Sequence, residues 1–163
     1  MTGFEKSIYA LDGFNLVWPD QTEIEQVSLE LAKLDPWKHL KISSKALAKG
    51  ISKSGQMKTA WVVKKNDDCI GIVTIKPDWL LGPYLNLVGL LPEDQGLSIG
   101  TQILDWMQRE AQISNARNLY LCVSDFNHRA QKLYRSFGFI EVGKLDALIC
   151  NEHAEILMRK SLS

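Results

Sequence analysis

The sequence predicts a single α/β domain built from seven strands and four helices. Three observations carry this. Strand-like and helical segments alternate, in the order strand, two helices, three strands, helix, strand, helix, two strands. Two helical stretches, from about Gly96 to Ile113 and from about Asn127 to Phe137, confine their apolar residues to one face, so each must lie against another layer. Before and between them stand short β-branched or wholly apolar runs bounded by Asn, Asp or Pro, the pattern of covered strands.

Each element has its own signal. Residues 7–17 alternate loosely and are expected to form one strand. Two helix starts follow, Asp20-Gln-Thr-Glu23 and the pair Thr22 and Glu25, which have capping-box spacing. Ile24, Val27, Leu31 and Leu34 then recur at helical spacing, and Asp35-Pro36 is expected to end that helix, because a residue before proline avoids the helical region. A weaker helix is expected over residues 43–52. KTAWVVKK (58–65) and CIGIVTIK (69–76) form a hairpin about Asn66-Asp67-Asp68. Residues 77–83, with a proline at each end, read as a connection, and YLNLVGLL (84–91) is the next strand, stopped by Pro92. In the long helix Ile99, Ile103, Met107 and Ala111 recur in steps of four. LYLCV (119–123) is a short apolar strand. In the last helix Ala130, Leu133, Tyr134 and Phe137 share a face, and Gly138 closes it. Phe139–Val142 and Ala154–Arg159 are the closing strands.

Composition narrows the function classes. A chain of 163 residues with no repeat or linker is expected to be one domain, 1–163, large enough to bury a full core. Its 19 basic and 19 acidic side chains cancel, so no global field points to nucleic acid or anionic lipid. Cys69, Cys122 and Cys150 lack metal-ligand spacing and read as free thiols in a reducing compartment; no metal is expected. The start lacks the basic segment and apolar core of a secretory signal, and no run approaches the ~18 apolar residues of a membrane span. The expected location is the cytoplasm.

The most informative segment is Leu90-Leu-Pro-Glu-Asp-Gln95-Gly96-Leu97-Ser98-Ile99-Gly100-Thr101. A strand stops at a proline, a loop of small residues follows, and a long helix begins. A helix N-terminus offers unpaired amide N–H groups and partial positive charge, and small side chains let backbone close around phosphate oxygens. Neither a Walker loop nor a G-x-G-x-x-G fingerprint is present. On these grounds alone an ordinary strand–helix turn remains equally open. The second segment is Asn127-His-Arg-Ala130-Gln-Lys-Leu133-Tyr134-Arg-Ser-Phe137-Gly138-Phe139. Asn127 reads as a helix cap and Tyr134 as a core aromatic.

Together the two segments resemble the signatures of the GNAT N-acetyltransferase family. The first is similar to Gln/Arg-x-x-Gly-x-Gly/Ala, with Ser98 where the family usually has glycine. The second matches N-x-x-A-x-x-L-Y-x-x-x-G-F at every fixed position. The likeness covers residues 58–160 well and the first 57 in element order. It implies the family's fold: a central mixed, mostly antiparallel twisted sheet of six to seven strands flanked by four helices, splayed between the fourth and fifth strands. It implies acetyl-CoA as cosubstrate. The pantetheine arm would lie along Val88, Gly89 and Leu90, and the pyrophosphate would sit on the loop of Gln95, Gly96, Leu97, Ser98, Ile99, Gly100 and Thr101. Asn127 would contact pantetheine.

The implied reaction is direct attack of an amine on the thioester in a ternary complex. A backbone amide near Leu90 would stabilise the oxyanion, and the phenol of Tyr134 would protonate the departing thiolate. Many family members that act on ribosomal proteins or N-termini carry a glutamate five residues before the asparagine; here that place is Cys122. A cysteine nucleophile would need an adjacent base, which the sequence does not place. Asp78, Glu93 and Asp125 are the other acids weighed, and each reads better as surface or cap, so the base is left unassigned. The resemblance puts the acceptor pocket at Asp35-Pro-Trp37-Lys-His39 and Asp146–His153. Trp37 reads as packing more than substrate contact, and His39 and His153 lie too far apart in sequence to argue a metal site. The acceptor is an amine, of a small molecule or a protein; a homodimer stays open. The alternative function is a non-catalytic acetyl-CoA or acyl-CoA-binding module of the same fold.

Overall fold

The computed structural model describes residues 2–163. One eight-stranded sheet runs in the order β1-β2-β3-β4-β5-β6-β8-β7. Its strands are β1 (Ile8–Leu11), β2 (Phe14–Val17), β3 (Ala60–Lys65), β4 (Asp68–Trp79), β5 (Gly82–Leu90), β6 (Asn118–Ser124), β7 (Ile140–Asp146) and β8 (Ala154–Ser161). Its helices are α1 (Gln21–Leu31), α2 (Ser44–Gln56), α3 (Ile99–Ile113) and α4 (His128–Ser136). All neighbours pair antiparallel except β5 and β6. The mixed, mostly antiparallel sheet with four helices matches the expected architecture, with one strand more than expected. The extra one arises in residues 7–17, where Asp12-Gly13 turns the chain and Gly13 takes a φ of 85°, which splits the segment into a hairpin.

The sheet separates two apolar cores. In β3, Ala60 and Val62 face α1 and α2, where Ile24, Val27, Leu31, Leu47 and Ile51 are buried. Trp61 and Val63 face the opposite way, into the larger core beneath α3 and α4 with Ile103, Trp106, Met107 and Phe139. This is the period-two alternation of a strand covered on both faces. Within the larger core Glu110 is buried, and its Oε2 accepts from Phe4 N at 2.9 Å and from Tyr9 Oη at 3.0 Å. Those bonds supply the partners that a buried carboxylate needs.

Several boundaries differ from expectation, each for a local reason. Helix α1 starts at the first of the two candidate sites. Asp20 Oδ1 accepts from Glu23 N at 2.8 Å, and Glu23 Oε2 accepts from Asp20 N at 3.0 Å, so the capping box is Asp20/Glu23 and not Thr22/Glu25. The helix stops at Leu31, before Asp35-Pro36, and a series of turns carries residues 32–41. Helix α2 starts on schedule, with Ser43 Oγ accepting from Ala46 N, and runs to Gln56.

Residues 77–83 are not a connection. Pro77 lies in β4 and Pro83 in β5, and the turn is Leu80-Leu81, with φ of 43° and 64°. Leucine disfavours this region, so tertiary contacts hold it. The Tyr120 hydroxyl donates to Leu80 O at 3.1 Å, Arg117 N donates to Leu81 O at 3.0 Å, and Trp79 packs on Tyr84 and Tyr120. Helix α3 begins at Ile99, not Gly96, because Gly96 and Ser98 adopt φ of 79° and 63° and remain in the loop.

Candidate active site

Strands β5 and β6 are parallel neighbours for two residue pairs only, Tyr84 with Tyr120 and Leu85 with Leu121. Beyond them the strands part. On one side β5 stays paired to β4 through Leu90, and on the other β6 stays paired to β8 through Ser124. Asn86 has no ladder partner between Leu85 and Leu87, so β5 bulges there, and Asn86 Nδ2 donates to Thr74 Oγ1 at 3.1 Å. The bulge also changes faces: Leu85 belongs to the core under α3 and α4, whereas Leu87 packs towards α1 and α2. The result is the expected splay, opening at the carboxyl ends of two parallel strands, where open sheets place their ligand crevices.

A cavity fills this gap. Asn86, Leu87 and Val88 line it from β5, and Cys122 and Ser124 from β6; Asn127 and Tyr134 contribute from the region of α4. Pro36, Trp37, Leu40 and Ile42 wall it from the α1–α2 connection. Ile149 comes from the β7–β8 loop and Glu155 from β8. The two segments expected to shape an acceptor pocket therefore do meet over the gap. Trp37 packs on Gly89, where a Cβ would stand 2.7 Å from its Cη2, and also lines the cavity.

The phosphate-loop candidates surround the N-terminus of α3. Ser98 is its N-cap but makes no side-chain cap bond. Leu97, Ser98 and Thr101 are exposed, Ile99 is buried in the core, and Gly100 faces Leu133. Gln95 acts inside the loop: its Nε2 donates to Leu90 O at 2.9 Å, and its Oε1 accepts from Arg129 Nη1 at 3.2 Å. Arg129, at a variable position of the second signature, thus brings a guanidinium beside Gly96, a cation that the motif does not mark. Asn127 caps α4 as expected, its Oδ1 accepting from Ala130 N at 3.3 Å.

The titratable groups divide by face. Leu121, Val123, Ile156 and Met158 point into the core beneath α3 and α4, with Tyr134. Cys122, Ser124 and Glu155 alternate with them and so take the opposite face. Tyr134 is buried, burial pushes its phenol up to about 12, and among the described residues nothing hydrogen-bonds it. Burial also raises the Cys122 thiol; the Tyr84 hydroxyl offsets part of the rise and the nearby Glu155 carboxylate adds to it, a net shift against the demands of a thiolate nucleophile. Tyr84, beside Cys122, is likewise raised by burial.

Glu155 is the residue that sequence reasoning missed. Its exposure is 6%, and burial raises its carboxyl above the ordinary range, offset in part by the Ser124 hydroxyl, which donates to Oε1 at 2.6 Å. The available signal was a lone acid inside the apolar run Ala154–Met158. The three acids weighed from sequence fare differently. Asp78 and Glu93 are exposed and do not line the cavity. Asp125 is a clasp: its Oδ2 accepts from Ala154 N at 3.0 Å and its Oδ1 lies 3.0 Å from His153 Nδ1, contacts that hold its carboxyl below the usual range, the amide first. His153 Nε2 in turn lies 2.9 Å from His39 Nε2, with Phe126 against both rings. The histidines that sequence kept apart tie the α1–α2 connection to the β7–β8 loop. Among the described residues no cluster of three or more His, Cys, Asp or Glu could hold a metal.

The family model for the acetyltransferase (GNAT) family matches residues 14–139, so the chain belongs to that family. No curated protein matches in sequence. Solved structures agree on the fold. Ard1 from Thermoplasma volcanium superposes with a TM-score of 0.75 at 14% identity, over 93% of this chain and 99% of that one. Naa50 of Arabidopsis thaliana, in complex with the bisubstrate analogue CoA-Ac-MVNAL, gives 0.72 at 18% identity, over 92% and 99%. Nourseothricin acetyltransferase gives 0.59 at 23% identity, over 64% and 65%. Among the described residues no helix is long and apolar enough to cross a membrane.

Proposed function

We propose that this protein is an acetyl-CoA-dependent N-acetyltransferase that transfers acetyl to an amine by direct attack in a ternary complex. The observation that carries the reading is the gap between β5 and β6, with a helix N-terminus and loop beside it and the unpartnered Tyr134 phenol lining it. Support comes also from the family and from the Naa50 complex, whose analogue joins CoA to a peptide through an acetyl group.

Residues play separate parts. The amides of residues 96–101 receive the pyrophosphate, with Arg129 as an added cation. The freed edge of β5 at Val88, Gly89 and Leu90 pairs with the pantetheine arm as an added strand would, and Asn127 contacts the same arm. The amine enters from the side of Trp37 and Ile149. Holding both reactants in one cleft removes much of the entropic barrier. An amide of β5 near Leu90 meets the oxyanion, and Tyr134 protonates the leaving sulfur. A phenol near 12 stays protonated at working pH, and the burial that raises it also raises the proton affinity of the thiolate it serves. Cys122 stays a thiol and takes no covalent part.

Calorimetric titration with acetyl-CoA, followed by thiol release against primary amines, tests the proposal. Binding with amine-dependent thiol release is expected. Binding without release from any amine would favour a non-catalytic CoA-binding module, and no binding would overturn the loop assignment.

A further inference from the structure

The acetyl-transfer reading leaves the ammonium of the acceptor without a proton acceptor. We propose that Glu155 is the general base, taking a proton from the acceptor's ammonium on the sheet face opposite the one from which Tyr134 serves the leaving sulfur; this rests on the reading above. Three observations carry it. Glu155 lines the cavity, whereas Asp78, Glu93 and Asp125 do not. It lies on the same face as Cys122 and Ser124 and under the wall of Pro36, Trp37 and Ile149 that an acceptor would pass. Its Oε1 is held by the Ser124 hydroxyl at 2.6 Å, and no protein hydrogen bond engages Oε2 among the described residues, which leaves that oxygen for a proton.

The surroundings suit the role. The charged and titratable groups about Glu155 are Cys122 on β6, Asp125 at the end of β6 and His153 before β8, with Tyr84 beyond Cys122 on β5. Two nearby carboxylates are pushed apart: Asp125 is held low by the Ala154 amide and His153, whereas Glu155 is raised by burial. Such divergence suits the low one to a structural part and the high one to proton transfer, alongside the geometry that puts only Glu155 on the cavity wall. A raised carboxylate is also the stronger base.

The step balances. The ammonium loses one proton to Glu155 Oε2, and the nitrogen lone pair forms the N–C bond. The C–S bond breaks with its electron pair on sulfur, which takes the Tyr134 proton. The second nitrogen proton restores the Tyr134 phenol. The products are the N-acetyl amide, CoA thiol and the proton on Glu155, which returns to solvent.

The test is Glu155→Gln, with Ser124→Ala as its companion. Acetyl-CoA binding, read by calorimetry, should match wild type in both; loss of binding by wild type itself would sink the acetyl-transfer reading and leave the base assignment nothing to act on. Thiol release is measured with the peptide Met-Val-Asn-Ala-Leu as amine and, without amine, with water as acceptor. Glu155→Gln should lower the rate about 10²-fold at neutral pH. The deficit with peptide should shrink as pH rises and the amine deprotonates unaided, which a merely structural role would not produce. Ser124→Ala should move the acid limb of the wild-type profile upward, because the carboxylate loses a donor. Wild-type rates in Glu155→Gln, or a deficit independent of pH, would overturn the assignment. A folded, acetyl-CoA-binding wild type with no thiol release in either assay would overturn it as well.

Discussion

A Cβ built on Gly100 would stand 3.3 Å from Leu133 Cδ2, so the first turn of α3 rests against α4 at this residue. That contact decides how the proposed phosphate loop is best tested. Gly100→Glu would drive a carboxylate at Leu133, and lost CoA binding would then reflect displaced helices as much as charge. Thr101 is next in the same turn and is exposed. Thr101→Glu sets stability against binding. A negative charge at a helix N-terminus favours the fold by about 0.3–1 kcal/mol, yet it repels a pyrophosphate. We expect acetyl-CoA affinity to fall at least ~10-fold, a loss of about 1.4 kcal/mol, with no drop in Tm. Calorimetry and a thermal melt read the two effects; undiminished affinity would remove the pyrophosphate from this turn.

Ser98 sits where the family pattern carries glycine, and its φ of 63° shows what that exchange costs. A residue with a Cβ gives up roughly 1–2 kcal/mol in the left-handed region. Ser98 makes no cap bond in return. Ser98→Gly relieves the strain but restores unfolded-chain freedom worth about 0.4–1 kcal/mol. The expected net is a gain of about 0.5–1 kcal/mol in urea unfolding, with acetyl-CoA affinity unchanged because the loop geometry is already set. Destabilisation would mean that the hydroxyl has a role in the loop.

Tyr134→Phe separates chemistry from packing. The phenol is buried and has no partner among the described residues, so its removal strands no hydrogen bond and leaves the ring in the core. We expect wild-type stability and CoA affinity and a kcat lower by about 10²-fold. With the phenol raised to about 12, wild-type activity should show no alkaline limb from this group below about pH 10. A limb there that vanishes in the Phe variant would show that bound acetyl-CoA rewets the phenol.

These variants rest on features of unequal legibility in the sequence. Motif-bearing elements were plain, because local chemistry determines them. Asn127 caps α4, Gly138 ends it at φ 103°, and the apolar stripe of α3 needs a core to cover it. Tertiary contacts hid the rest. Leu80-Leu81 carries no turn residue, and its turn exists because Tyr120 and Arg117 hold its carbonyls from β6 and the segment before it. The alternation that aims Glu155 into the cavity is written in residues 154–158, but which face would be the open one depends on the splay and on distant loops. His39 and His153 stand 114 residues apart and meet only because the α1–α2 connection folds across the end of β6. Ser98 was legible as a departure, and its left-handed backbone supplied the physical meaning.

Glu155 also has a consequence for stability that is independent of any acceptor. Burial raises its carboxyl in the fold above its value in the unfolded chain. Between the two values the folded protein holds a proton that the unfolded chain has released. Stability therefore falls as pH rises through that window and stays lower above it. Glutamine fills the same space, accepts the same Ser124 bond and does not titrate. Glu155→Gln should melt higher than wild type at pH 8, by roughly 2–4 °C for each kcal/mol removed. The difference should close as pH falls towards about 4, where an unperturbed glutamate is itself becoming protonated. A variant that is more stable and less active would place Glu155 among residues kept for function at the expense of the fold. If the variant instead melts lower at pH 8, burial does not govern the charge of this carboxyl.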